Sequence, residues 1–253
     1  MMKHFRFLLL ALVVVGLSSC DNITEEIYLE KDGSGTYEVY ADMVPSMTKM
    51  AVQMAGLFGN DSTGKALDQD ELIADILEDL PVKIDSTYSY EKEIDEDIRD
   101  SKVYEKYGER MNGFQRGGKD DGYMHMGMRF EFKNLAELTE VMEMMSENQK
   151  KGKDGELFSS LGASKAEYFY EKGKFWRKCT YDTQEELGSD DLGMLIMLLG
   201  DAYVQTVVHM PAKAIEAKGD HLVSNENGKV VYKYSFLDLV NGEVNSDFEI
   251  KVK

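Results

Sequence analysis

Several residue sets in this chain have types and spacing that invite chemistry. Gly59-Asn60-Asp61-Ser62-Thr63-Gly64-Lys65-Ala66 nearly spells a phosphate-cradling loop. Such a loop needs Ser or Thr where Ala66 stands, because that hydroxyl ligates Mg²⁺, and it should follow a strand. Here it follows helical spacing, so it reads as a linker. Ser46-Met47-Thr48-Lys49 has the S-x-x-K spacing of penicillin-binding enzymes, in which the serine is a nucleophile. No K-T-G accompanies it, and Ser46 stands where a helix cap or first turn is wanted. Met124-His125-Met126 with Met128 offers thioethers and an imidazole, which suit Cu(I). On a strand, alternation turns His125 away from the three Met, so the Met read as adaptable core filler. His209 and His221 flank Pro211 without a Cys or carboxylate at ligand spacing, and read as isolated polar residues. The chain has no H-E-x-x-H, G-x-S-x-G or complete EF-hand loop. The expectation is therefore no catalytic residue, no metal ligand and no cofactor.

Cys20 is the exception. Lys3 and Arg6 form a basic start, Leu8 to Val15 a short apolar run, and Leu17-Ser18-Ser19-Cys20 follows. The order and lengths are those of a secretory leader. Small residues before a Cys resemble the lipobox of bacterial lipoproteins. The resemblance implies a diacylglyceryl group on the Cys20 thiol, removal of residues 1–19 and acylation of the new amine, palmitate being the expected chain. One acyl chain holds a protein marginally and two hold it stably, at about 0.8 kcal/mol per buried CH₂. Cys179 would then be the remaining thiol, read as buried and inert. Asp61-Ser62-Thr63 and Asp85-Ser86-Thr87 resemble the short acceptor of protein O-glycosylation in Bacteroidota. Ser62 and Ser86 are the candidate acceptors, with Ser62 on a loop.

The elements that must position these residues follow from periodicity. Ile23 to Met43 reads as a hairpin, with Ile27 and Leu29 on one side of Lys31-Asp32-Gly33-Ser34-Gly35 and Tyr37, Val39 and Ala41 on the other. Pro45 opens a helix with a Met47, Met50, Met54 and Leu57 stripe. Gly56 to Lys65 is a loop. Asp68 to Glu71 starts a helix that Pro81 stops, and Val82, Ile84, Tyr88 and Tyr90 alternate as a strand. Residues 91–122 are expected to be an acidic, partly mobile segment, with a solvated helix and a loop at Gly113 to Gly118. Tyr123 to Lys133 alternates cleanly, with Met124, Met126, Met128, Phe130 and Phe132 on one face. Asn134 caps a helix with a stripe of Leu135, Leu138, Val141, Met142 and Met145. Ala166 to Cys179 reads as a hairpin turning at Lys172-Gly173, Asp190 to Leu199 as a short helix, and Ala202 to Met210 as a strand. Asn227-Gly228 marks a turn before Val230, Tyr232, Tyr234 and Phe236, and Asn241-Gly242 another before Val244, Phe248, Ile250 and Val252. Strands arriving as hairpins predict an α+β fold: a mainly antiparallel curved sheet with helices packed on one face.

The lipobox followed by an Ile-rich strand and an Asp32-Gly33-Ser34-Gly35-Thr36-Tyr37 turn resembles the LppM-type bacterial lipoproteins. The close is similar too: Met210-Pro211, Ser224 to Gly228, and Val231 to Phe236 running into Leu237-Asp238-Leu239. The resemblance covers residues 20–43 and 208–240. A Trp often stands near the end of the last long strand in that family, where this chain has Phe236; its one Trp is Trp176. The resemblance implies an anchored α+β domain whose curved sheet and helix enclose an apolar ligand.

Composition bounds the rest. The chain has 253 residues, 43% apolar and 30% charged, which suits one globular domain over residues 20–253. A net charge of −18 argues against nucleic acid as a partner. Residues 61–110 hold 16 acidic and 7 basic side chains, whereas residues 202–253 hold 7 and 6. The expected function is that of a non-enzymatic envelope lipoprotein, extracytoplasmic and membrane-anchored through Cys20. It is expected to bind an apolar or lipid-like ligand, the alternative being an accessory or docking subunit of an envelope protein complex. The six residues from Asp21 to Glu26 reach about 20 Å when extended. They would set the domain against its leaflet, the acidic segment turned away and the C-terminal sheet, including Asn227, towards it.

Overall fold

The computed structural model describes residues 22–48, 51, 69–89, 102–149, 164–181 and 202–252. The expectations at Cys20, Met50, Met54, Leu57, the Gly56–Lys65 loop with Ser62, residues 91–101 and the 190–199 helix lie outside these residues.

Twelve strands and four α-helices are described, in the order β1 (Asn22–Leu29), β2 (Gly35–Asp42), α1 (Gln69–Asp79), β3 (Ile84–Ser89) and α2 (Lys102–Tyr107). A 3-10 turn (Gly108–Arg110) leads to β4 (Met111–Gly118), β5 (Tyr123–Phe132), α3 (Leu135–Gln149), β6 (Ser164–Glu171) and β7 (Lys174–Tyr181). The remainder is β8 (Tyr203–His209), β9 (Ala214–Gly219), β10 (Leu222–Glu226), β11 (Lys229–Ser235), α4 (Phe236–Val240) and β12 (Phe248–Val252). A further helical segment begins at Met43, directly after β2.

The strands form two sheets rather than one curved sheet. The larger has eight strands in the order β10-β11-β8-β1-β2-β5-β4-β3, and the smaller has four, β6-β7-β12-β9. Pairing is antiparallel except between β1 and β8, where Ile23 lies beside Val204 and Tyr28 beside His209. This is an α+β architecture with the expected antiparallel bias. Ile27, Phe130, Val208 and Tyr232 of the large sheet share one core with Phe175 and Ile250 of the small sheet, all fully buried. The Leu135, Leu138, Val141 and Met142 stripe of α3 joins that core. Asn134 caps α3 as its sequence suggests: its Oδ1 accepts from the Glu137 amide at 3.1 Å, and Glu137 Oε2 accepts from the Lys133 amide at 2.8 Å.

Local chemistry explains the turns. Lys172-Gly173 and Asn227-Gly228 both have positive φ at each residue, 52° and 76° and then 53° and 83°. That geometry matches the twist of the strands they join. Asn241-Gly242 is not a hairpin turn. It ends α4, with the Asn241 amide on Leu237 O at 2.9 Å and the Gly242 amide on Leu239 O at 3.1 Å. Phe236 does not extend the strand either, because Ser235 Oγ accepts from the Asp238 amide and starts α4 there.

The largest correction concerns Gly113 to Gly118, expected as a mobile loop. Met111–Gly118 is β4, paired along its length with β3 and β5, and Phe114 within it is 1% exposed. Its glycines are sites of close approach. A Cβ on Gly113 would lie 2.1 Å from the ring of Tyr88, the residue directly opposite on β3. A Cβ on Gly35 would meet the Phe132 ring at 2.6 Å in the same manner, whereas one on Gly127 would meet β2 itself, at Val39 O and Tyr40 Cβ. At Gly113 and Gly35 an aromatic ring lies across the glycine and fills the space its missing Cβ leaves.

Candidate functional site

β1 places adjacent carboxylates on opposite faces of the large sheet. Ile23, Glu25, Ile27 and Leu29 alternate towards the small sheet, and Thr24, Glu26 and Tyr28 away from it. Polar residues 24 to 26 are thus strand residues with partners.

Towards the small sheet, Glu25 forms an ion pair with Arg177 of β7, which is 4% exposed. Thr206 Oγ1 donates to Glu25 at 2.8 Å and Tyr168 OH donates at 3.0 Å. Arg177 also donates to Ser246 O at 2.9 Å from one terminal nitrogen and 3.2 Å from Nε. Burial pushes the Glu25 carboxyl up, but the Arg177 charge and three hydrogen bonds outweigh it and hold the group below its ordinary value. Burial and the Glu25 charge push the Tyr37 and Tyr168 hydroxyls well above theirs. Burial pushes the nearby Tyr234 hydroxyl up to about 12, with the Arg177 charge opposing it.

On the opposite face, Glu26 accepts from Tyr40 OH at 2.8 Å and from Tyr28 OH, and lies 3.0 Å from His209 Nε2. The Tyr28 and His209 rings stack at 4.2 Å. Burial raises the Glu26 carboxyl, yet the bonds from His209, Tyr28 and Tyr40 prevail and lower it to about 2. Beside this cluster Glu38, 5% exposed, accepts both prongs of Arg116 at 3.0 and 3.1 Å, with Arg129 at 3.6 Å. The Arg116 guanidinium lies 4.0 Å over the Phe114 ring. His209 is therefore not the isolated residue its sequence neighbours suggest. Its carboxylate partner comes from β1, which the parallel β1–β8 register brings alongside. His125 faces Tyr40 and Tyr123 on this same face, away from the Met side chains, and burial lowers its pKa. Met128 is buried in the core, whereas Met124 and Met126 are half-buried.

An open cleft of about 470 Å³ lies at the β1–β2 turn, lined by Tyr28, Glu30, Asp32, Arg110, Phe132 and Lys133 among others. Arg110 is tied there to Glu137 at 2.7 Å and Glu131 O at 3.0 Å. Among the described residues no group of three or more His, Cys, Asp or Glu could hold a metal ion. Ser86 lies exposed on β3, the edge strand. Ser46 lies in the helical segment after β2, and Lys49 outside the described residues. Cys179 is a free, half-buried thiol, and burial pushes its pKa up. Among the described residues no helix is long and apolar enough to cross a membrane.

Lys229 lies beside His209, and His209 beside Tyr28, so the Asn227-Gly228 turn is at the end of the sheet opposite Asn22.

The arrangement defines a class: a two-sheet α+β domain whose buried carboxylates serve as cross-strand and cross-sheet ties. No protein-family model and no curated protein matches the chain. A search of solved structures finds the NMR structure of the LppM folded domain from Mycobacterium tuberculosis, at 16% identity and a TM-score of 0.39, covering 92% of this chain and 89% of that one. Backbones that far apart do not support transfer of function.

Proposed function

We propose that this chain is a lipid-anchored, extracytoplasmic domain of the bacterial cell envelope that works by binding rather than by catalysis. The observation that carries the reading is the position of Cys20. It closes the Leu17-Ser18-Ser19-Cys20 sequence and is separated by Asp21 alone from β1, a central strand of the large sheet. An acylated Cys20 would hold the folded body directly, with no stalk. A non-enzymatic role is supported by Glu25, Glu26 and Glu38, each committed to structural bonds.

Of the two binding modes, docking to an envelope protein partner has the better geometric support. Among the described residues the space between the sheets is filled by Ile27, Phe130, Phe175, Tyr232 and Ile250. Recognition would then occur on the surface. The half-buried Met124 and Met126 at one end of β5 favour a second reading, an apolar or lipid-like ligand seated there.

Replacement Cys20→Ser is expected to leave an uncleaved, unacylated chain, read by mass spectrometry of the membrane fraction. A processed, acylated variant in that fraction overturns the anchor. Native mass spectrometry of the wild-type protein taken from its own membrane separates the modes: a co-purifying subunit supports docking, and a bound lipid mass supports the second reading.

A further inference from the structure

The end of the large sheet at which β1 begins has a chemistry suited to one surface. Two Cα steps separate Cys20 from Asn22, a reach of at most about 7 Å. Tyr203 of β8 is paired in register with Asn22, and neighbouring strands lie about 4.8 Å apart. Tyr203 therefore starts within about 12 Å of the Cys20 backbone. The residue is 37% exposed, and the ammonium of Lys233, on the adjoining β11, lies 4.1 Å from its ring centroid. On the other side of β1, β2 ends beside Asn22 and the helical segment at residues 43–48 leaves Met47 36% exposed. Val82 is exposed too, at 64%, but it precedes β3, four strands away. A twist of about 20–25° per strand turns that corner away from the end of β1.

A Tyr ring with a Lys ammonium beside it is the pairing found at bilayer interfaces. The ring sits at headgroup depth and the lysine reaches anionic phosphate. Each headgroup layer is about 5–7 Å thick, so a residue so near the acylated Cys falls within or against it. We propose that this end of the sheet is a bilayer-contact edge, with Tyr203 and Lys233 as its interfacial side chains and Met47 beside them. Its occupant is the leaflet that holds the acyl chains of Cys20. The inference rests on the lipid-anchor reading. It places the β1–β2 turn and Asn227 at the far end, in water.

The test uses full-length acylated protein in vesicles of phosphatidylcholine and phosphatidylglycerol. In a Trp176→Phe background, one variant carries Tyr203→Trp and another Lys31→Trp, at the far turn. Brominated acyl chains are expected to quench the tryptophan at position 203 several-fold more than that at position 31. Equal quenching at the two positions overturns the contact edge. In the wild-type chain, amine acylation of Lys233 is expected to slow several-fold on transfer from detergent to vesicles while that of Lys31 is unchanged. Unchanged Lys233 labelling overturns the edge without any substitution. The intact mass of the same preparation separates the two failures, because an unacylated chain overturns the anchor reading itself and, with it, the occupant named here.

Discussion

Alternation along β1 sends Glu25 and Glu26 into different environments, and both environments favour the charged carboxylate. Breaking a buried ion pair such as Glu25–Arg177 from one side strands a charge, which costs about 3–5 kcal/mol in comparable sites. Glu26 makes a pH-dependent contribution with a definite sign. Its carboxyl is lowered from 4.5 to about 2 in the folded protein. The stability it adds is present above the unfolded value and is lost as pH falls through the folded one. Discounted for solvent screening of a half-buried group, the size is on the order of 1–2 kcal/mol. Urea midpoints measured from pH 6 downward are expected to drop between about 4.5 and 2, and Glu26→Gln is expected to flatten that limb. A limb of unchanged steepness in the variant would remove Glu26 as its source; Glu25 acts with the same sign.

At the scale of elements, the strand glycines decide how β3, β4 and β5 stack. Gly113→Ala is expected to destabilise by about 1–3 kcal/mol, since its Cβ would meet the Tyr88 ring at 2.1 Å. In a Tyr88→Ala background the same substitution is expected to cost much less, because the clash is gone. A thermal-denaturation cycle over the four proteins measures the difference, and additive effects would mean that ring and glycine are independent. This pairing also explains where the sequence misleads. Met111 to Gly118 has the glycine content of a loop, and only the rings opposite, on other strands, make it a sheet. Features written within a few residues were legible: the Asn134–Glu137 cap, the Lys172-Gly173 and Asn227-Gly228 turns, and the face division of β5. Features written across long separations were not. Nothing near Glu25 announces Arg177, and nothing near His209 announces Glu26, so His209 passes for a solitary side chain. The pairing of β12 with β7 and β9 was hidden for the same reason, and one expected sheet became two.

For the whole molecule, the first and last thirds of the chain meet at β1. Its partners are β2 from its own hairpin and β8 from the C-terminal part, and Arg177 ties it to the small sheet. A chain ending at residue 202 would lose five strands, leaving β1 an edge and the core without Tyr232, Phe248 and Ile250. Such a chain is expected to lack near-ultraviolet circular dichroism and cooperative melting. A cooperative transition in it would show that the N-terminal strands fold without their C-terminal partners.

The parallel β1–β8 pair also sets a timetable. Glu25 and Thr206 are 181 positions apart in the chain, and they meet inside the core. Loops of that length close slowly, and folds dominated by such pairings form on the slow side of the range for single domains. A strand made at the start of synthesis must wait for one made near its end. Until then β1 has one open edge, and the large sheet is incomplete on that side. Were the chain exported as proposed, that delay would favour passage through a translocation channel, since the large sheet closes only after β8 has followed β1 across.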